Sequence, residues 1–336
     1  MKAPSNTARR RLVAAAALGA AGINARAQGQ PLKLNHTDTP SGARHHAAEL
    51  FARKFAEYSE GRYRVLVFHS GQLGNDPQSI AQTRKGVLDF TVSATGSFAS
   101  LVPTLNLTAL PYLVGGYEHG WRLYDSSPWL ARQFTQLPAQ GLRVIATWEA
   151  GFRSFTTKSP LRSPADASGK KIRIFNNEML RWVMQAIGYE PVVLPVTEVY
   201  LALQQGRVEG QENPIDTIQA LRFYEVAPHL TLTQHVYSPL PFVVAENLWQ
   251  RLSAADREAA ERAAREAAKF SRESVRDNDR RQLDEMKAKG AIVSNPDLAP
   301  FRKAVESVYE QARKKYGTEV DALVLDAKRT ATGGKT

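Results

Sequence analysis

Residues 32–68, LKLNHTDTPSGARHHAAELFARKFAEYSEGRYRVLVF, decide the architecture. Leu32 to His36 reads as a short strand. Between Ser41 and Ser59, the residues Ala47, Leu50, Phe51, Phe55 and Tyr58 fall on one helical face, and Gly61 ends the helix. Arg62 to Phe68 then alternates, with Arg62 and Arg64 on one side and Tyr63, Val65 and Val67 on the other, the period of a strand. Downstream, the loop 70–74 leads to Asp76-Pro77, which predicts a helix opened by a cap and a first-turn proline and closed at Gly86. Leu88 to Ala94 reads as a buried strand. Strands and helices that alternate in this way predict a mostly parallel sheet with helices on its faces.

The pattern recurs. Leu142 to Trp148 and Lys170 to Phe175 read as strands, with Arg153 to Thr157 as a polar extended segment between them. Glu178 to Ile187 is a helix ended by Gly188, Thr197 caps a helix from Glu198 to Gln205, and Val208 to Gln211 is a strand. A second sheet of the same type fits residues 150–240. Further on, Ser253 and Asp256 have capping-box spacing, and Arg257 to Lys289 runs without Gly or Pro to Gly290. That stretch predicts one long helix or a broken pair. Asn295-Pro296 opens a helix to about Tyr316, Glu319 to Lys328 forms a last one, and a polar tail follows from Ala331. The organisation is thus a leader at 1–27, an N-terminal α/β lobe at 28–149 and a second α/β lobe at 150–240. Residues 241–336 supply a crossover strand and C-terminal helices packing on both lobes. Two lobes with crossing segments define a cleft.

Of the 336 residues none is cysteine, which excludes a disulfide scaffold, cysteine-ligated metal and a cysteine nucleophile. The formal net charge is +11, but Lys2, Arg9, Arg10, Arg11 and Arg26 supply +5 of it with no acid among residues 1–27, leaving +6. Arginines, then an apolar run from Leu12 to Ile23, then Ala25-Arg26-Ala27 make up the grammar of a cleavable secretory signal peptide, cut near Ala27. The mature chain is therefore expected in the periplasm, exported by the Sec or twin-arginine route. The remaining positive charge is scattered, with no basic block interleaved with aromatics, so nucleic acid is a poor partner.

No nucleophile-elbow, zincin, Walker or dinucleotide motif is present, so no cofactor is expected. His45, His46 and Glu49 share a helix, but nothing nominates a third and fourth metal ligand. Arg173 alternates with Ile172 and Ile174 and so points away from the core they enter. Arg153 lies at the crossing between lobes. A guanidinium pairs a carboxylate through two parallel hydrogen bonds, so two arginines facing one cleft would make a carboxylate receptor. Solvated surface arginines are the plain alternative.

Several segments carry a resemblance: 47–52 (AAELFA), 71–74 (GQLG), 86–90 (GVLDF), 110–112 (LPY), 169–173 (GKKIR), 197–206 (TEVYLALQQG), 208–214 (VEGQENP) and 223–226 (FYEV). In this order and spacing, over about residues 32–316, the chain resembles the solute receptors of tripartite ATP-independent periplasmic (TRAP) transporters. The resemblance implies a two-lobed, periplasmic-binding-protein-like α/β fold, mixed sheets flanked by helices, with a long helix spanning both lobes. It implies binding of a small organic acid and delivery to a sodium-driven membrane permease. It implies that Arg173 clamps the carboxylate, with Arg153 as a second arginine and Asn213 as an amide donor. By the same alignment His36, Thr37, Asp38, Gln72, Ser93, Ala94, Thr95, Trp148 and Glu149 approach the ligand. Ala94 stands where the sialic-acid type carries an acidic residue, which points away from sialic acid. His36, Asp38, Gln72, Trp148 and Glu149 suit a hydroxylated acid such as a uronate, while dicarboxylates, pyroglutamate-like, keto and aromatic acids stay open. Monomer and homodimer also stay open. The competing class is an exported enzyme acting on an organic acid, with Glu149 and His36 as its acid–base pair.

Overall fold

The computed structural model describes residues 29–331, so the expected signal peptide at 1–27 lies outside the described residues. The strands are β1 (Gln30–Asn35), β2 (Tyr63–Phe68), β3 (Phe90–Val92), β4 (Leu142–Thr157), β5 (Lys171–Ile174), β6 (Glu190–Val193), β7 (Gly210–Pro214), β8 (His229–Ala245) and β9 (Ile292–Ser294). They hydrogen-bond in the order β2-β1-β3-β8-β4-β7-β5-β6, with β9 beside β8. The β1–β2, β1–β3, β5–β6 and β5–β7 pairs are parallel, whereas β4 and β8 run antiparallel to each other and to their neighbours β7 and β3. The sheet is mixed. The two sheets expected from the sequence are one ladder, because β4 and β8 are long enough to serve both lobes.

Each end of that ladder has its own core. In the first, Leu32, Leu34, Phe51, Phe55, Phe90 and Phe242 are fully buried, and the Phe51 ring lies 4.7 Å from that of Phe242. In the second, Ile172, Ile174, Met179, Leu180, Val183 and Phe155 are sealed from water. Leu107, Leu110, Trp129 and Leu130, which lie within 28–149 in sequence, pack in this second core. Two helices there, Tyr117–Ser126 and Pro128–Phe134, have short runs and weak sequence signals and were not expected.

Between the cores, β4 has register shifts against β8 between Glu149 and Phe152 and again between Arg153 and Phe155. Gly151 sits in the first shift with φ 103°, in the left-handed region that glycine enters without penalty. The strand therefore changes direction at the crossing. The helix Ala254–Ala288 is a single 35-residue element, opened by the Ser253 hydroxyl accepting from the Asp256 N–H. Ala260, Ala263, Ala264 and Ala267 bury in the first core, whereas Met286 belongs to a third cluster with Val199, Leu203, Ile218 and Phe223. One helix thus touches both lobes.

Three caps differ from the sequence reading. Asn75, not Asp76, caps the helix Asp76–Arg84, because Asn75 and Gln78 satisfy each other's backbone N–H groups. This leaves the Asp76 carboxylate free for other partners. Thr197 makes no cap bond; a 3-10 turn at Val196–Glu198 leads into the helix Val199–Gln204 instead. Asp297 caps the next helix, Leu298–Ala304, and the chain restarts as Glu306–Tyr316. Among the described residues no helix is long and apolar enough to cross a membrane.

Candidate functional site

Three adjacent strands, β4, β7 and β5, carry Arg153, Asn213 and Arg173 side by side. Arg153 opposes Pro214, Ser154 opposes Asn213, and Gln211 opposes Arg173. All three side chains line one cavity of about 300 Å³ between the lobes. Ile172 and Ile174 enter the core and Arg173 faces the opposite way, as their alternation requires.

Arg173 is 2% exposed. Its Nε donates to the Leu194 carbonyl at 2.9 Å, and among the described residues no carboxylate lies within ion-pair distance of its guanidinium. Burial, then repulsion from Arg153, pulls its pKa down to about 10. It remains cationic at neutral pH. An unpaired buried charge is costly, so this site favours any anion that can enter it.

Arg153 is different. It forms an ion pair with Glu212, and its Nη2 donates to Glu212 Oε1 at 2.8 Å, to the Glu212 carbonyl at 2.7 Å and to Asn213 Oδ1 at 3.2 Å. Its Nη1 donates to Ser238 Oγ at 3.3 Å, and its guanidinium lies 5.2 Å from the Phe175 ring centroid. Burial disfavours the Glu212 charge, but Arg153 and His235 outweigh it and hold the carboxyl below its usual range. Arg153 is thus neutralised internally, and the Asn213 amide is oriented by Arg153 and by Gln211. The single uncompensated charge of this wall is Arg173.

The opposite wall comes from the first lobe. Asp38 and Thr37 follow β1 into the cavity, and Arg44 of the helix Ala43–Tyr58 joins them. Asp76 lines it too, accepting from Thr37 Oγ1 at 3.2 Å and Ser93 Oγ at 3.0 Å. Burial, reinforced by Asp216, pushes the Asp38 carboxyl up to about 7. Ile80, Ala150 and Leu240 supply apolar lining. Arg44 and Asp76 were missed by sequence reasoning; Asp76 was assigned to capping, and nothing local distinguishes Arg44 from a surface helix arginine.

The other expected residues lie elsewhere. Gln72 is on an exposed loop. His36 is buried beneath the cavity, where Nδ1 accepts from the Asp38 N–H at 3.2 Å and Nε2 lies 3.3 Å from His45 Nδ1. Burial, with Arg44 and His45, holds its imidazole well below the usual histidine range. Thr95 donates to the Pro239 carbonyl at 3.2 Å behind the wall. Trp148 packs in the first core, its ring stacked 4.6 Å from that of Phe242. Glu149 turns toward the crossing, accepting from Tyr237 Oη at 2.6 Å, Trp121 Nε1 at 2.8 Å and the Gly151 N–H at 2.7 Å. Burial pushes its carboxyl up to about 7. Large apolar and acidic residues beside a cleft serve core and hinge as readily as ligand, and alignment to a strand end does not choose between them.

The chain compares closely with known receptors. Residues 34–315 match the model of the DctP family, described as bacterial extracellular solute-binding protein, family 7. The sialic acid-binding periplasmic protein SiaP of Vibrio cholerae is 29% identical over 90% of this chain and 93% of its own. The sugar acid binding protein of Advenella mimigardefordensis, solved in complex with galactonate, superposes with a TM-score of 0.87 at 28% identity, covering 90% of this chain and 99% of that one. A TRAP periplasmic solute-binding protein of Chromohalobacter salexigens with bound D-glucuronate gives a TM-score of 0.84 at 29% identity over 89% and 99% of the two chains. With the buried Arg173 guanidinium facing a cavity between two lobes, and this match along nearly its whole described length, the chain belongs to the DctP family of TRAP solute-binding proteins.

Proposed function

We propose that the mature chain is a periplasmic receptor that closes around a sugar acid and delivers it to the membrane subunits of a TRAP permease. Arg173 holds the ligand carboxylate, Asn213 and Arg153 orient it, and the hinged strands β4 and β8 bring the walls together. The observation that carries this reading is the buried Arg173 guanidinium, which among the described residues has no carboxylate partner. In a cavity of low dielectric a bidentate carboxylate restores that balance. Relatives crystallised with galactonate and D-glucuronate support a polyhydroxylated acid. Residues 1–27 would direct export and be removed.

The enzyme reading loses support from geometry. Its only candidate acid–base pair, Glu149 and His36, does not line the cavity, and each group is engaged by internal partners. A receptor returns its acid unchanged.

Calorimetric titration of D-galactonate, D-glucuronate, succinate, pyroglutamate and benzoate tests the proposal. Arg173→Ala is expected to weaken binding of the preferred acid by at least about thirtyfold, the lower end of the 2–5 kcal/mol typical when one partner of a buried charge pair is truncated. The ligand-free variant should unfold as cooperatively as the parent. Undiminished affinity in Arg173→Ala removes the clamp from the account.

A further inference from the structure

The helix Ala43–Tyr58 starts without a cap of its own: its N-cap is Gly42 and its first turn holds no acid. A bare helix start is electropositive and leaves backbone donors to be met from elsewhere. Two buried carboxyls stand there, one from each lobe. Asp38, on the loop that leads into the helix, lies 2.0 Å from where a Cβ on Gly42 would stand, and the Arg44 backbone N–H favours its charged form. Asp216 comes from the helix Ile215–Ala220, and the Ala43 backbone N–H favours its charged form in the same way. Ile215 and Ile218 of that short helix bury in the third cluster with Val199 and Leu203, whereas Ala47, Phe51 and Phe55 of the first-lobe helix bury in the first core.

The contact is built from both sides. Thr39 Oγ1 donates to the Ala220 carbonyl at 3.2 Å across the same gap. Gln282 Nε2 donates to Asp216 Oδ1 at 2.9 Å and Gln219 Nε2 to Glu285 Oε2 at 3.0 Å, so the short helix is fixed to the long one. Pro214 and Thr217 line the cavity, but the Asp216 side chain turns to Gln282 and the helix start. Its charged and titratable surroundings are Asp38 on the entering loop, Arg44 and His46 on the first-lobe helix, Asp279 on the long helix and Tyr117 on the helix Tyr117–Ser126. Burial raises the Asp216 carboxyl, and burial with repulsion from Asp216 raises that of Asp38. Two carboxylates in one buried place do not both stay ionised, so the pair keeps a proton that neither would hold alone in water.

We propose that Asp216 is a positioning residue for closure, reaching from the second lobe to the start of the first-lobe helix and latching the two walls over the bound acid. This rests on the receptor reading above and adds how the closed state is held, through a residue that does not touch the ligand. With the lobes apart, Asp216 leaves Asp38 and the Ala43 N–H returns to water. The burial of Asp38 within its own lobe stays, but the repulsion from Asp216 goes. Closure therefore takes up a fraction of a proton. This contribution to affinity is present at low pH and is lost as pH rises through about 7, where the closed pair gives up its proton.

D-Galactonate and D-glucuronate are the probes, titrated into the full mature chain by calorimetry. Two buffers of different ionisation enthalpy at about pH 6.5 count the protons taken up, and affinities at about pH 6 and pH 8.5 give the profile. The parent protein is expected to take up about 0.2–0.5 proton with the acid it binds, and to bind that acid about threefold or more tightly at the lower pH. Asp216→Ala, which removes the acceptor, should weaken binding at the lower pH by about fivefold or more, the scale of a lost helix cap. Asp216→Asn keeps a neutral acceptor of the same size. It should recover part of that loss, while proton uptake falls toward zero and the affinity ratio between the two pH values falls toward one. Comparing it with the parent cancels every other titration. A merely structural role would weaken binding by one factor at both pH values and leave the proton count unmoved, and that result overturns the latch. So does binding by the parent protein without proton uptake, which leaves the receptor reading standing. If the parent protein binds neither acid, the receptor reading for sugar acids falls and the latch falls with it.

Discussion

Asp38 shows how a single side chain answers to its surroundings. Its carboxyl is buried beside Asp216, and burial with that like neighbour raises its pKa from 3.8 to about 7 against the opposing pull of Arg44. The unfolded chain ionises this group near pH 4, whereas the folded chain resists ionisation until about pH 7. Stability from this group is therefore present below pH 4 and is lost as pH rises through that window. Asp38→Asn keeps the acceptor for the Thr39 N–H and carries no charge. In urea unfolding of ligand-free protein it should match the parent at pH 4 and exceed it at pH 8 by roughly 1–3 kcal/mol, a range that allows for sharing of the charge with Asp216. A difference independent of pH would contradict this account. Arg173 was readable from its place between two isoleucines. Arg153 was placed at the cavity, but that its charge is already met by Glu212 could not be read, because the two are 59 residues apart in sequence.

At the level of elements, the helix Ala254–Ala288 shows what composition can and cannot specify. Absence of Gly and Pro, with a capping serine, predicted a helical stretch here, whole or as a broken pair, and its end at Gly290. The alanines at 260, 263, 264 and 267, all fully buried, let it lie close against the helix Ala43–Tyr58 and the sheet. Small residues here are a spacing device, since bulk would force the layers apart. Ala264→Leu should destabilise the protein by about 1–3 kcal/mol in chemical denaturation, and a neutral result would show that this layer has slack. The helix Asp76–Arg84 teaches a complementary point. The sequence reading placed the cap at Asp76, one residue late, and the reciprocal bonds between Asn75 and Gln78 select Asn75. That choice releases Asp76 to the cavity.

For the whole molecule, the long strands β4 and β8 are the connection between the two cores. Each has one part in the first core and another in the second, and β4 changes register at the Gly151 bulge. Ser271 of the long helix bonds both the N–H and the carbonyl of Glu149, so the crossing is braced against that helix. A ligand that touches Arg173 on one wall and Arg44 on the other favours the state in which both are near, which is closure by differential contact. Small-angle scattering should record a smaller radius of gyration with saturating D-galactonate, and no such change for Arg173→Ala. An unchanged radius in the parent protein, with binding verified by calorimetry, argues for a preformed cavity instead.

Local patterns by themselves determined the alternation of strands and helices, the helical stretch that ends at Gly290, and that Arg173 faces away from the two isoleucines beside it. They do so because periodicity, capping and glycine placement act over a few residues. Family resemblance added Arg153 and Asn213 to the cleft. Only the tertiary structure decided that the ladder is continuous, that Trp148 and Glu149 serve core and crossing, and that Arg44 and Asp76 face the cavity. It also decided that Arg153 is paired with Glu212, whereas Arg173, among the described residues, has no carboxylate within ion-pair distance. Charge compensation depends on groups brought together from distant parts of the chain, and a carboxylate neutralises only the cation that folding sets beside it.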